Sequence, residues 1–329
     1  MQTKGRALFN LLRMNWVEDS QLSVEPWQVE NYRTLPLEKL FEMAGELNIS
    51  LDKDRFVHYA TSCESPEELT EALWLGGEDP SEHDRIYLIV FELWRRLQPE
   101  KQSLSLFCDE LDYLIDLYDR AELPNDEPLQ TALSELARIL DESVDRGQPP
   151  KEVFQALSEY CAHDLEAFIY DLAASQIDLG NNILASELVD GFFAYVEDNK
   201  WFEFLHARLM FDADEEEAHF MIDRLMERLQ EEPDFELLLE IARFMASKGS
   251  RDHFFRAALD AKPYLQVEED FQELLALSCE FLPFFDQDEM HEVFTDMLKR
   301  RASAPLEKEL RPGDRDLSTY FSQMKSVAQ

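Results

Sequence analysis

Apolar residues recur at helical spacing through most of the chain, at intervals of three and four positions. After Thr34, one helical face carries Leu37, Leu40, Phe41, Ala44 and Leu47, which predicts an amphipathic helix. Residues 86–97 are apolar on nearly all sides, and this predicts a central, buried helix. Since β-branched residues and glycines are scarce, the pattern predicts an all-α fold.

In the second half of the chain, the predicted helices follow one another at regular intervals. Their expected starts lie near Lys151, Asp164, Asn182, Lys200, Asp214, Asp234, Ser250, Val267 and Asp286. A two-helix unit therefore covers roughly 30–38 residues, within the range of helical repeats. Because the connections are short, successive helices should be antiparallel. We expect an α-solenoid of antiparallel helical hairpins, like those of tetratricopeptide or HEAT repeats.

The segment 145–150 contains Gly147, Pro149 and Pro150, which no helix accommodates in its interior. We place a boundary there, which gives an N-terminal helical subdomain (residues 1–146) and a helical-repeat domain (147–301). Residues 302–329 form a C-terminal tail with an expected short helix over 317–324. This tail should either be loosely held or dock across the last hairpin.

One stretch, LEIARFMASKGSRDHFFRAALDAKP (239–263), resembles a tetratricopeptide unit. Ala242 stands at the small-residue position of the first helix, although the family more often has glycine there. Lys248-Gly249 matches the turn, and the second helix matches through Phe254, Phe255, Ala258, Leu259 and the closing Pro263. The second helix is shorter than in the family, and the neighbouring units do not repeat the signature. The resemblance implies a concave groove that binds peptides or protein segments, and it carries over no binding residue.

The net charge of −39 is concentrated in the middle of the chain. Residues 1–60 carry −2 and residues 301–329 carry +1, so residues 61–300 carry −38. Such a surface repels nucleic acid and anionic membranes and attracts cationic partners. The acidity has two interpretations, which are solubility of a helical protein or a binding face for a basic partner.

The four cysteines are widely separated and form no CxxC pair, so neither a zinc knuckle nor a thioredoxin-type motif is predicted. Each lies in an apolar helical context and should be a free, buried thiol. The longest apolar run, 86–91, is too short to span a bilayer. The basic first residues lack the apolar stretch of a secretion signal, so we expect a packed helix there, and a targeting signal stays open as the alternative. We therefore expect a cytoplasmic protein that does not bind membranes.

Two carboxylate–histidine pairs have the i, i+3 spacing that di-iron helical bundles use for metal ligands. They are Glu216 with His219 and Asp288 with His291. Both pairs fall in the first turn of a predicted helix, where acids are also favoured by the helix dipole. They are weak metal candidates, and we expect no cofactor. The nucleophile, phosphate-binding and zinc-protease motifs are missing, so the sequence does not predict an enzyme.

We expect a non-catalytic interaction, scaffold or adaptor protein that binds another, basic protein, and not nucleic acid, through an acidic helical surface. The candidate partner-binding residues are Trp201, Phe202, Phe204, Asp212, Asp214, Glu215, Glu216 and Glu217. The aromatic residues among them have a second interpretation as core between hairpins, and the acids as helix caps. Two alternatives stay open, a helical carboxylate–histidine metalloenzyme and an acidic nucleic-acid mimic that sequesters a DNA-binding protein. The oligomeric state is not predicted.

Overall fold

A computed structural model describes residues 3–74, 76, 79–311 and 313–327. These residues form eighteen α-helices and no β-strand, as the apolar pattern predicts. The helices are α1 (Arg6–Glu18), α2 (Pro26–Val29), α3 (Leu37–Glu46), α4 (Lys53–Ala60), α5 (Pro66–Leu73), α6 (Pro80–Leu97), α7 (Leu104–Asp119), α8 (Glu127–Asp145), α9 (Pro150–Ser158), α10 (Leu165–Asp178), α11 (Asn182–Phe192), α12 (Lys200–Phe211), α13 (Glu215–Glu231), α14 (Phe235–Ser247), α15 (Arg251–Asp260), α16 (Glu268–Phe281), α17 (Asp288–Arg301) and α18 (Arg315–Val327). Short 3₁₀ helices occur at Tyr32–Thr34, Lys262–Tyr264 and Leu282–Phe285.

The nine predicted helix starts from Lys151 onward correspond to α9–α17, and each lies close to the observed start. Side-chain caps explain part of this agreement. Asp214 accepts a hydrogen bond from the backbone N–H of Glu217, and Asp234 accepts one from that of Leu237. Each cap satisfies a donor that the first helical turn leaves without a partner. The turn predicted at Lys248-Gly249 is also present, and Gly249 has a φ of 78° there.

The helices divide into two compact units, of which unit 1 comprises Met1–Leu172 and Asp190–Glu197. Unit 2 comprises Ala173–Val189 and Asp198–Gln329. The proline-rich segment 145–150 ends α8, as predicted, but it lies inside unit 1. The packing does not divide at this segment because α8 and α9 contact each other across it.

Unit 1 is built around α6, whose side chains from Ile86 to Trp94 are buried on every face. The helices α3, α4 and α5 pack on α6, while α7 packs on α1 and α8. The single acid in the buried stretch of α6, Glu92, pairs with Arg95 and Arg96. Arg96 also donates to the backbone carbonyls of Leu35 and Tyr32, at 2.7 and 3.0 Å. These bonds fix the chain before α3 against the central helix.

A buried carboxylate, Asp109 of α7, joins three segments of unit 1. Arg33 donates to it at 2.6 Å, Asn10 at 3.0 Å and Arg6 at 3.4 Å. Burial alone would raise the pKa of Asp109, but the charges of Arg6 and Arg33 outweigh it, so this pKa lies below its usual value. Asp109 therefore stays ionised and ties α1 and the Tyr32–Thr34 turn to α7.

Unit 2 contains three packed helix pairs, α12 with α13, α14 with α15 and α16 with α17. Successive pairs also contact each other, since α14 packs on both α13 and α16. Their facing side chains form a continuous apolar core that includes Phe204, Ile241, Phe254, Phe271 and Phe294. Many adjacent helices thus pack in pairs, as expected for a helical-repeat fold.

The C-terminal segment is part of unit 2 and docks on its last helices, the second of the two arrangements predicted for the tail. The expected short helix is α18, which packs on α15 and α17. Tyr320 of α18 is fully buried, and its hydroxyl lies 2.7 Å from that of Ser278. Before α18, backbone bonds join Glu268 N–H to the Lys308 carbonyl at 2.8 Å and Leu310 N–H to the Gln266 carbonyl at 2.9 Å.

All four cysteines are free thiols, as predicted. Cys63, Cys108 and Cys161 are buried, whereas Cys279 is half-buried. The neighbouring Cys108 thiol and burial together raise the pKa of Cys161. Among the described residues, no helix is both long and apolar enough to cross a membrane.

We predict that Asp109→Asn lowers the free energy of unfolding by about 3 kcal/mol, because Arg6 loses its only ion-pair partner among the described residues. Glu110→Gln is the matched control, since Glu110 is the next residue, is exposed and also pairs with Arg33. It should cost less than about 1 kcal/mol. Urea unfolding at pH 7 measures both values.

The difference in free energy of unfolding between Asp109→Asn and the native chain should also depend on pH. Since the folded-state pKa of Asp109 is depressed, its stabilisation is present at neutral pH and is lost as pH falls below about 4. This account of the carboxylate would be contradicted if Asp109→Asn and Glu110→Gln lowered the free energy of unfolding equally. It would also be contradicted if the loss in Asp109→Asn did not change in acid.

Two neighbouring arginines allow a second test, on the docking of the C-terminal segment. Arg301 is 11% exposed and holds Glu268 in two 2.6 Å hydrogen bonds, while Arg300 is 58% exposed and pairs with Asp316. We predict that Arg301→Gln lowers the free energy of unfolding by about 3–5 kcal/mol. It should also speed amide hydrogen exchange in residues 306–310 and in α18. Arg300→Gln should cost less than about 1 kcal/mol. Unchanged exchange in Arg301→Gln would show that the pair does not hold the segment.

Candidate protein-binding surface

The predicted aromatic anchors lie on α12, and two of the three are inside the protein. Phe202 and Phe204 are each 1% exposed, and the ring of Phe204 packs edge-on against Phe244 at 5.7 Å. Trp201 is half-buried and donates its indole N–H to Asp234 at 2.9 Å. The buried pair therefore belongs to the core, which was the second interpretation of this aromatic run. Of these three aromatic residues, Trp201 alone has surface that a partner can reach.

The predicted acids from Asp212 to Glu217 lie in the turn between α12 and α13 and in the first turn of α13, and all five are exposed. Asp214 caps α13, and Asp212 pairs at 3.4 Å with Lys248 in the turn between α14 and α15. Helix capping and the helix dipole explain why acids occur at this position, so a binding partner is not needed to explain them. We call Asp212 and Asp214–Glu217 the turn acids.

A second group of acids lies on the outward faces of α14 and α16, two helices that pack side by side. We call this group the acidic ridge. Its members are Glu236 and Glu240 of α14, and Glu269, Glu273 and Glu280 of α16. Arg243 joins the two helices, with its guanidinium 3.7 Å from Glu240 and 3.2 Å from Glu280. The ridge therefore combines its five carboxylates with one bridging cation.

The charges of neighbouring acids act on Glu273 of the ridge. Partial burial raises the pKa of Glu273, and the charges of Glu269, Asp270 and Glu236 raise it further, against the smaller effect of Arg243. Within the described residues, Glu236, Glu269 and Glu273 have no ion-pair partner. Asp270 has a structural role, because it accepts hydrogen bonds from the backbone of Gln266 and Val267. Glu236 and Glu269 thus both repel the carboxylate of Glu273 on this surface.

The acids of the ridge occupy equivalent positions in α14 and α16. Glu236 and Glu269 are the second residues of α14 and α16, and Glu240 and Glu273 both follow them by four positions. Trp201 is the second residue of α12, so it occupies the corresponding position in the preceding hairpin. Sequence reasoning overlooked the ridge, although the i, i+4 spacing of its acids in two successive units was a signal for it.

The residues considered as weak metal ligands contact other side chains. The ring of His219 stacks with that of His253 at 4.9 Å and meets Phe211 edge-on at 5.5 Å. His291 lies 3.4 Å from the Thr295 hydroxyl, and Glu216 and Asp288 are exposed. In the part of the chain that the structure describes, no three His, Cys, Asp or Glu side chains are grouped as ligands for one metal ion.

His253 lies between a hydroxyl and a carboxylate. Its Nδ1 atom lies 2.7 Å from the Ser250 hydroxyl, and its Nε2 atom lies 3.5 Å from Asp223. Burial lowers the pKa of His253, and this effect outweighs the opposing charge of Asp223. His253 is therefore largely uncharged at neutral pH, and it stacks with His219 where α15 meets α13.

The chain matches no family model, and no curated protein or solved structure matches it significantly. The proposal for its function therefore rests on helix spacing, packing and charge.

Proposed function

We propose that this chain is a non-catalytic binding protein, and that the hairpins α12–α17 are tetratricopeptide-like units whose acidic ridge binds a basic segment of another protein. The observation that carries the proposal is the ridge, which places carboxylates without ion-pair partners among the described residues at equivalent positions of two adjacent helices. The ridge replaces the turn acids as the main contact surface, with Trp201 at its edge.

The helix spacing supports units of tetratricopeptide size. The first helices of the three packed pairs begin at Lys200, Phe235 and Glu268, so the two intervals between them are nearly equal. Each interval is close to the period of roughly 34 residues that tetratricopeptide repeats have, whereas HEAT repeats are longer. This regularity favours the tetratricopeptide alternative over the HEAT alternative.

The packing of unit 2 supports the same proposal. Stacked hairpins of a repeat protein contact mainly their neighbours, and a terminal element covers the apolar face of the last one. Here α14 packs on α16, and α18 packs on the last two pairs through its buried residues Tyr320, Phe321 and Met324. A surface formed by the first helix of each hairpin is then continuous from one unit to the next.

The charge of the ridge indicates the chemistry of the partner. A lysine or arginine side chain placed between Glu236, Glu269 and Glu273 would relieve their mutual repulsion and would gain attraction itself. Both contributions weaken as salt rises, because the carboxylates are accessible to solvent. A segment with several basic residues therefore fits better than an apolar one, and Trp201 offers an aromatic face for a cation at one end.

We predict that the tagged chain retains a basic protein from a lysate of its source cell at 50 mM NaCl and loses it at 500 mM NaCl. The triple variant Glu236→Gln, Glu269→Gln, Glu273→Gln should retain at least tenfold less of that protein, because the ridge loses its unpaired charges. The retained protein is identified by mass spectrometry and quantified at each salt concentration.

A matched triple variant separates the two acidic surfaces. Glu215→Gln, Glu216→Gln and Glu217→Gln remove the same charge from the turn acids, and binding should fall less than threefold. Loss of binding in this control alone would move the site from the ridge to the turn acids. No retained protein at either salt concentration would contradict the proposal, and retention that only added DNA abolishes would favour the nucleic-acid mimic.

A further inference from the structure

Unit 1 contains a small cavity between α1, the Tyr32–Thr34 turn and α7. Four arginines line it, namely Arg6 and Arg13 of α1, Arg33 of the turn, and Arg120 at the end of α7. Its volume is about 40 Å³, which is room for roughly three water molecules or one small polyatomic anion. Four arginines around one cavity stand out in a chain with a net charge of −39.

The acids of this cavity are already engaged by other groups. Asp109 holds Arg6 and Arg33, and Asp116 pairs with Arg120. Asp112 accepts backbone N–H groups from Ala162 at 2.8 Å and from His163 at 3.1 Å. It also lies 3.1 Å from the His163 ring. The carboxylates of the walls are therefore bound in place and do not need a cation from outside.

Arg13 is the exception among the four arginines. Within the described part of the chain it has neither a hydrogen bond nor an ion pair, although it is half-buried. Burial lowers the pKa of its guanidinium, and the charges of Arg120, Arg6 and Arg33 lower it further against the attraction of Asp116. A guanidinium carries five N–H donors, and those of Arg13 lack acceptors among the described residues.

We propose that this cavity binds an oxyanion, either a phosphate or a carboxylate group, through Arg13 with support from the neighbouring arginines. The planar fork of donors in a guanidinium matches both kinds of group. Among the residues that line the cavity, four arginines face Asp109, Asp112 and Asp116, and Glu110 outside the lining also pairs with Arg33. The size of the cavity restricts the bound part to one such group, on a free ion or at the end of a larger molecule.

The test uses the full chain with inorganic phosphate and, separately, acetate as probes. Sodium chloride at matched ionic strength corrects for the general effect of salt on so acidic a protein. We expect a saturable rise in melting temperature with at least one probe and a matching saturable heat in calorimetry. The probe that binds more tightly identifies the phosphate or the carboxylate as the source of the oxyanion.

Arg13→Gln should weaken the binding roughly ten- to a hundredfold, because it removes a charge-assisted hydrogen bond. Without a probe its stability should equal or exceed that of the native chain, since Arg13 has no partner among the described residues to lose. Arg146→Gln, in which an exposed arginine outside the cavity loses the same charge, should bind like the native chain. Arg13→Lys should bind with intermediate affinity, and it replaces Arg13→Gln in the comparison if the latter does not fold.

Binding that does not saturate, or that chloride reproduces, would show an ionic-strength effect and would overturn the proposal. Equal affinities of the native chain and the Arg13 variants would overturn it as well. The acidic ridge belongs to unit 2, so either result leaves the proposed binding of a basic protein unaffected.

Discussion

Each helix of this protein has to bury an apolar face against other helices, and the rest of the structure depends on that constraint. Short helices such as α12, α14 and α15 are marginal in water on their own, so tertiary packing stabilises them. The inward faces of unit 2 supply the contacts through residues such as Phe254, Phe271 and Phe294. Acids are consequently concentrated at helix starts and on outward faces, and the position of the negative charge follows from the packing.

The scarcity of cations gives the few buried ones a strong structural effect. The chain has 31 lysines and arginines against 70 acids, and several of these cations hold segments together. Arg33 and Arg6 converge on Asp109, Arg96 binds the backbone before α3, and Arg301 joins Glu268 to Asp314. Cations that join segments cannot neutralise the outer surface. Between the two helices of the acidic ridge, Arg243 is thus left to face five carboxylates.

The sequence predicted the local structure well, because the signals involved are local. Asp214 and Asp234 mark helix starts through hydrogen bonds to the backbone three positions further on. The buried helix α6 was recognisable from its apolar residues on every side. The domain boundary placed at 146 relied on prolines, which end a helix but do not show whether α8 and α9 then pack together.

The candidate surface needed information that no local pattern contains. Buried Phe202 and half-buried Trp201 are neighbours in the sequence, and only the packing of α12 distinguishes them. The ridge requires knowing that α14 and α16 lie side by side. The arginine cavity joins residues as distant as Arg6 and Asp109, which are 103 positions apart. Long-range contacts of this kind become visible only when the helices are assembled.

The most direct measurement of the central claim is zero-length cross-linking of the chain to its captured protein with a carbodiimide, which joins carboxylates to lysines in contact. Peptide mapping by mass spectrometry then identifies the carboxylates that reacted. The proposed function predicts that the links concentrate on Glu236, Glu240, Glu269, Glu273 and Glu280, and that they decrease at high salt. Links concentrated on Glu215, Glu216 and Glu217, or spread evenly over the acids of both units, would contradict it.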